Sequence, residues 1–247
     1  MRLHIRSLAV AVVILSWAGL ASAQTADEVI EKAIAALGGR AAMEKIKTGI
    51  MTGTISLQTP AGDIPGTIEI YNAVPNKVRT VIKADLSSVG AGQLLIDQRF
   101  DGTSGYVMDS LQGNRDITGS QLDSMRSNSF PHPFLNYKAM GTSVTLGAKE
   151  KVGERDAFVL TFEPSSGTPT RQYIDAETFM PLRSMVRVEV PQMGEVEQTY
   201  EPSDFRAVDG VKIPHRLNVS SSIQGFAITF TKIENNAVVD QKLFSKP

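Results

Sequence analysis

From residue 49 onward the apolar positions of this chain change their period from about 3.6 to 2, and the alternation then returns in segment after segment as far as residue 233. Successive side chains on an extended strand point to opposite faces, so this period calls for half-buried strands. About a dozen of them, separated by turn residues, call for an antiparallel sandwich or barrel. Residues 49–59 set the pattern: Met51, Ile55 and Leu57 share a face with Gly53, while Thr52, Thr54 and Ser56 point the other way. After the turn at 60–63, Ile64, Ile68 and Ile70 alternate with Thr67, Glu69 and Tyr71. Beyond Pro75-Asn76, Val78, Ile82 and Ala84 alternate with Arg79, Lys83 and Asp85. Leu94, Ile96 and Phe100 continue the pattern with Gln98 as an exception, and Met108 lies in a short strand over 106–109. Further strands are expected at 144–149 and at 157–163, where Phe158, Leu160 and Phe162 form an apolar row. Segment 172–175 pairs with 182–190, and three more strands follow at 195–200, at 213–220 with Leu217, and at 226–233 with Phe226, Ile228 and Phe230. Turn signals stand at 191–194, at Pro202, at Asp209-Gly210 and at Gln224-Gly225.

Two helical stretches interrupt the alternation. Thr25 with Glu28 three positions on is a capping-box pattern. Val29, Ile30, Ala33, Ile34 and Leu37 then recur at helical spacing before Gly38-Gly39, and residues 40–46 add a short second stretch. Within an insertion over 118–140, Leu122, Met125 and Arg126 sit at helical spacing after a Thr118 or Ser120 cap. The run Phe130-Pro131-His132-Pro133-Phe134-Leu135 is barred from an inner strand because its prolines remove ladder donors. The expected class is therefore mainly β (α+β): an incomplete antiparallel β-barrel of about 11–12 strands with an N-terminal helix and a helical lid insertion. A barrel of about eight strands fills itself with its own side chains, whereas ten or more leave an interior that holds a ligand or must be plugged.

The first residues read as a removable export segment. Arg2 and Arg6 precede the apolar run 8–20, and Ala21-Ser22-Ala23 is the small-residue pattern cut by a signal peptidase. Cleavage after Ala23 leaves one domain over 24–247, released into a periplasm and two charges more acidic than the precursor's net −1. With no cysteine there is no lipid anchor at the cut, no disulfide framework and no thiol chemistry. No later apolar run is long enough to span a bilayer as a helix. The absence of a basic block argues against nucleic acid as a partner.

Catalytic signals are weak, and no enzymatic activity, cofactor or metal is expected. Residues 24–247 hold two histidines, His132 and His215, in no zinc-binding spacing. His132 reads as a loop or lid residue between prolines, and His215 shares the parity of Ile213, Leu217 and Val219, as an interior histidine would. Gly102-Thr103-Ser104-Gly105-Tyr106 lacks the final glycine of a nucleophile elbow, and Gly90-Ala91-Gly92 lacks the third glycine of a phosphate cradle.

The helix ending Ala36-Leu37-Gly38-Gly39 leads into the strand over 48–57. The hairpin Tyr173-Ile174-Asp175 to Pro181-Leu182-Arg183 follows, then Asp204-Phe205-Arg206 running to Asp209-Gly210-Val211-Lys212-Ile213-Pro214. In this order and in these turns the chain resembles the lipoprotein-localisation factors (LolA/LolB-like) and the outer-membrane lipoprotein-sorting proteins. The resemblance implies an open barrel carrying a lipid, or the acyl chains of a lipoprotein, with an envelope membrane protein as donor or acceptor.

Physical chemistry supports a container. Burying a methylene is worth about 0.8 kcal/mol, so a chain of roughly sixteen carbons gains on the order of 10 kcal/mol by leaving water. The apolar rows of these strands, with Met51, Met108 and Met125 as adaptable fillers, are the expected cavity walls. Val29, Ile30, Ile34 and Leu37, with Leu122, Met125, Phe130 and Phe134, are the expected lid. The same rows also suit packing against the helices. Two other classes remain open on sequence alone: an envelope-stress sensor or protein-interaction module on the same fold, and an exported hydrolase using His132 or His215.

Overall fold

A computed structural model describes residues 24–128, 130–190 and 194–247; the export segment over 1–23 lies outside them. Helix α1 (Ala26–Ala36) begins with the expected capping box: Thr25 Oγ1 accepts from the Glu28 N–H at 3.2 Å, and Glu28 Oε2 accepts from the Thr25 N–H at 3.0 Å. Its buried face is Val29, Ile30, Ala33 and Ile34. The helix stops because Gly38 takes φ +123°, and a Cβ there would lie 2.1 Å from the Gly210 carbonyl oxygen. That close approach, with the Lys212 N–H donating to Leu37 O at 2.7 Å, ties the helix end to the sheet. A short helix α2 (Arg40–Met43) leads into the strands.

The strands are β1 (Thr48–Gln58), β2 (Ile64–Ala73), β3 (Lys77–Asp85), β4 (Gln93–Phe100), β5 (Gly105–Asp109) and β6 (Arg115–Ile117). Helices α3 (Gly119–Ser127) and α4 (Pro133–Asn136) come next. Then follow β7 (Ser143–Leu146), β8 (Glu150–Val152), β9 (Arg155–Glu163), β10 (Thr170–Asp175), β11 (Pro181–Val190), β12 (Gly194–Val208), β13 (Val211–Ser221) and β14 (Gly225–Asn235). Among the described residues they make one antiparallel sheet in the order β6-β5-β4-β3-β2-β1-β14-β13-β12-β11-β10-β9-β7, with β8 also on β9. The two ends do not pair, so the barrel is incomplete, as the sequence predicts.

Helix α3 shows that the sheet curls. Met125 Sδ accepts from the Gln98 amide on β4 at 4.0 Å, and Ser124 Oγ lies 3.3 Å from Thr168 Oγ1 just before β10. In the order of the sheet β4 and β10 stand eight spacings apart, which would be roughly 38 Å if the sheet were flat. A nine-residue helix is only about 14 Å long, so it reaches both sides because the sheet bends around it.

Fourteen strands form rather than the expected 11–12. The extra ones, β6 and β8, are three residues each, too short to show a period. Gly147 ends β7 before the expected 149. Strand β12 runs through Pro202, where a turn was expected. Its last residue paired with β11 is Tyr200, opposite Ser184, so beyond that point its ladder runs only to β13, and proline is tolerated on such an edge. Thr118 is the N-cap residue of α3 but makes no side-chain capping bond.

The interior holds two apolar clusters. One joins α1, α2 and α4 to Phe158, Leu160, Phe162, Ile174 and Val211; the other joins Ile55, Leu57, Ile64, Ile68, Ala84, Leu94, Ile228 and Phe230. The opposite face of β3 and β4 is polar: Asp97 is 3% exposed and clasped by Arg79 at 2.7 Å and Arg99 at 2.8 Å. The C-terminal turn Gln241–Phe244 covers these strands, with Arg99 Nη1 donating to Ser245 O at 3.1 Å.

Candidate ligand cavity

Between the two clusters lies a hollow of about 370 Å³. Cross-strand pairing puts its floor on one face: Gly49 stands between Asn72 and Asn235, and Met51 between Ile70 and Ile233. Leu37, Met43 and Ile46 wall one side and Phe205, Val211 and Ile213 another. The roof is Phe130, Pro131, His132 and Pro133, held down where the Phe130 N–H donates to Pro75 O at 2.9 Å. Gly49 makes room for that roof, since a Cβ there would meet the Phe130 ring at 3.2 Å.

A second hollow of about 290 Å³ meets the first at Pro133, Gln172 and Ser184 and extends beneath α3. A third, about 310 Å³, lies at the far end of the inner face among Ile55, Leu57, Ile64, Leu94, Ile96 and Phe226 and opens past the exposed Val89 and Leu111. Each volume is near the lower bound of small-molecule sites.

Some of the expected wall and lid residues line a hollow and the others do not. Leu37, Met51 and Phe130 line the first hollow, Phe134 and Phe162 the second, and Ile55, Leu57, Ile82, Leu94, Ile96 and Phe226 the third. Val29, Ile30 and Ile34 pack with Phe158 and Leu160 in one cluster, while Ile68, Ile70, Leu217, Ile228 and Phe230 belong to the other, so these fill the interior rather than bound a void. Val78 pairs with Asn72 and Phe100 on the inner face beyond the hollows. Leu122 and Met125 are half-buried on α3, which has no fully buried residue. Met108 is placed differently from its expectation: it pairs with Asp97, on the outer face with the arginines, because the β4–β5 register brings Val107 opposite Gln98 on the inside.

Met43, Ile46, Phe205, Val211, Ile213 and Ile233 were not among the expected walls. Ile233 was hidden by a bulge: the register slips at Thr52/Gly53, Thr231 is left over, and parity on β14 reverses after Phe230. Gly53 is the residue that permits this, since a Cβ there would lie 2.1 Å from Thr229 O. Phe205 lies beyond Pro202, where no strand was expected. Parity alone places Ile213 with Leu217, a usable signal.

The lid is fastened to α1. Tyr137 Oη and Lys138 Nζ donate to the two oxygens of Asp27, each at 2.5 Å. The lysine first and the tyrosine second hold the Asp27 carboxyl below its ordinary range. His132 caps α4: its Nδ1 accepts from the Phe134 N–H at 3.3 Å, its ring lies edge-on to Phe134 at 4.4 Å, and burial pushes its pKa down to about 4. His215 is buried on the inner face, with Nδ1 3.1 Å from Ile213 O. Among the described residues no three His, Cys, Asp or Glu side chains stand close enough to hold a metal ion.

No protein-family model matches the sequence. No curated protein matches it either. Solved structures do. A LolA superfamily protein from Nitrosomonas europaea aligns with TM-score 0.55 at 15% identity, over 91% of this chain and 99% of that one. A putative outer membrane lipoprotein-sorting protein domain from Vibrio parahaemolyticus aligns with TM-score 0.55 at 13% identity, over 88% and 95%. A DUF1329 family protein from Desulfovibrio piger aligns with TM-score 0.54 at 14% identity, over 88% and 95%. At these identities the likeness is one of architecture, and with the open antiparallel barrel, the leading helix and the helical insertion it gives the chain a LolA-like fold.

Proposed function

We propose that this chain is a periplasmic carrier that shelters a lipid, or the acyl chain of a lipoprotein, inside its open barrel and passes it on without covalent chemistry. The observation that carries the reading is the apolar hollow of about 370 Å³ under the Phe130–Pro133 roof, adjoining a second hollow beneath α3. Residues 130–133 themselves are tied to the sheet by one backbone hydrogen bond, whereas the adjoining α4 is anchored by the buried Phe134 and Tyr137 and by the clasp at Asp27, so uptake and release need a local opening of the roof rather than of the whole lid. Export places the protein in the aqueous space that an acyl chain does not cross unaided.

The test is native mass spectrometry of protein purified from its own envelope, followed by titration of the delipidated protein with a broad panel of acyl lipids. The reading expects a co-purifying lipid mass, saturable binding and an N-terminus at Gln24. A bound protein mass in place of lipid, or no binding across the panel, overturns it in favour of an interaction module.

A further inference from the structure

We infer that the cargo is an uncharged amphiphile whose head carries several hydroxyls, glycerol or sugar, with its tail in the hollow beneath Phe130 and its head in the adjoining hollow beneath α3. The inference rests on the carrier reading and deepens it.

The two hollows differ in chemistry. The one beneath Phe130 is walled mainly by aliphatic and aromatic side chains. The one beneath α3 is rich in hydroxyls and amides, and among the described residues its lining includes no Asp, Glu, Lys, Arg or His. Its polar groups are also aligned. Gln172 pairs with Ser184, and Ser184 with Tyr200, so three polar side chains cross β10, β11 and β12 in register on the inner face. Leu160 on β9 and Val219 on β13 bracket the row. These half-buried groups are open to water, and a ligand that displaces the water must bond to them or leave them desolvated.

Of the three, Tyr200 alone is supplied with a side-chain partner among the described residues. Neither the Gln172 carboxamide nor the Ser184 hydroxyl makes a side-chain hydrogen bond to a described residue, and both stand at the junction of the hollows. Tyr200 Oη donates to Gln198 Oε1 at 2.7 Å, which leaves its lone pairs to accept. Burial pushes the Tyr200 phenol above its ordinary range, so it stays neutral. Amide and hydroxyl groups that both donate and accept match a head that does the same. A carboxylate or phosphate in this place would be buried without a cation, a strongly unfavourable arrangement. Lys212, the charged residue among those lining the other hollow, is exposed on β13.

The experiment is displacement of Nile red from the delipidated protein by C16 compounds: 1-palmitoylglycerol, hexadecyl glucoside, palmitate, palmitoyl lysophosphatidate and hexadecane. The two neutral hydroxylated lipids should displace the dye at concentrations at least tenfold below the two anions, and whichever is the tighter distinguishes glycerol from sugar. In the Q172L/S184A double variant, checked for folding by its thermal midpoint, the preference should fall toward unity. Anions binding as tightly as the neutral lipids, or a preference that survives in the folded double variant, overturns the head-group assignment while leaving the carrier reading in place. No displacement by any compound, hexadecane included, overturns both.

Discussion

Acid should loosen the lid through His132. In the folded chain its imidazole is half-buried, and desolvation keeps it neutral by lowering its pKa to about 4, against 6.5 for the free side chain. The geometry agrees, since Nδ1 is used as an acceptor for the Phe134 N–H and would lose that role on protonation. The folded pKa is depressed, so between about pH 6.5 and 4 the unfolded or lid-open chain binds more protons than the closed one. Stability therefore falls as pH drops through that window. Two and a half pKa units at 1.36 kcal/mol each set the loss at about 3 kcal/mol by pH 4. H132N removes the titration and keeps an acceptor at the α4 cap, where asparagine is favoured. Urea unfolding of both proteins between pH 7 and 4 isolates the histidine, because the carboxylates that also titrate near pH 4 are common to both. Hydrogen exchange over 130–137, compared at equal pH, shows whether the lid opens before the whole chain does. Parallel stability profiles together with equal lid exchange would refute the argument.

Met51→Trp should fill part of the main hollow; the void accommodates the ring, so the thermal midpoint should hold while about two or three methylenes of a bound chain lose their place, roughly 2 kcal/mol or a thirtyfold rise in the lipid's Kd. Equal affinity in the folded variant would show that the chain lies elsewhere. Gly38→Ala should cost about 2–3 kcal/mol, measured by urea unfolding, because φ is +123° and the new Cβ meets the Gly210 carbonyl; an unaltered midpoint would contradict the close approach. Phe134→Ala removes a ring 1% exposed and stacked on Phe162 at 5.5 Å, and should cost about 3–5 kcal/mol in the same assay.

Much of the fold was legible because strand period, capping and turn chemistry are local. Thr25, Glu28 and Gly38-Gly39 mark α1, and Asp209-Gly210 marks the β12–β13 hairpin with φ of 50° and 82°. The rows on β1, β2 and β9 fall on the faces their alternation predicts. What failed was whatever depends on a neighbour. Thr231 is a bulge only because β1 presses against β14, Met108 faces outward only because β5 joins β4 in that register, and Pro202 continues a strand only because the pairing of β12 with β11 has already stopped at Tyr200.

The candidate site divides along the same line. Alternation determines that Phe158, Leu160 and Phe162 point inward, for side-chain direction is a property of the strand itself. Whether an inward side chain meets a helix or empty space is decided by how far the sheet curls and where α1 docks. Here α1 covers β9 and leaves the hollow beside β1, β13 and β14. The polar row of Gln172, Ser184 and Tyr200 likewise exists only once the three successive strands β10, β11 and β12 pair in that register. The sequence determined the strands, the capped helix and the two faces; the tertiary structure decided where the interior stays open, because a void is a relation between surfaces that no single segment encodes.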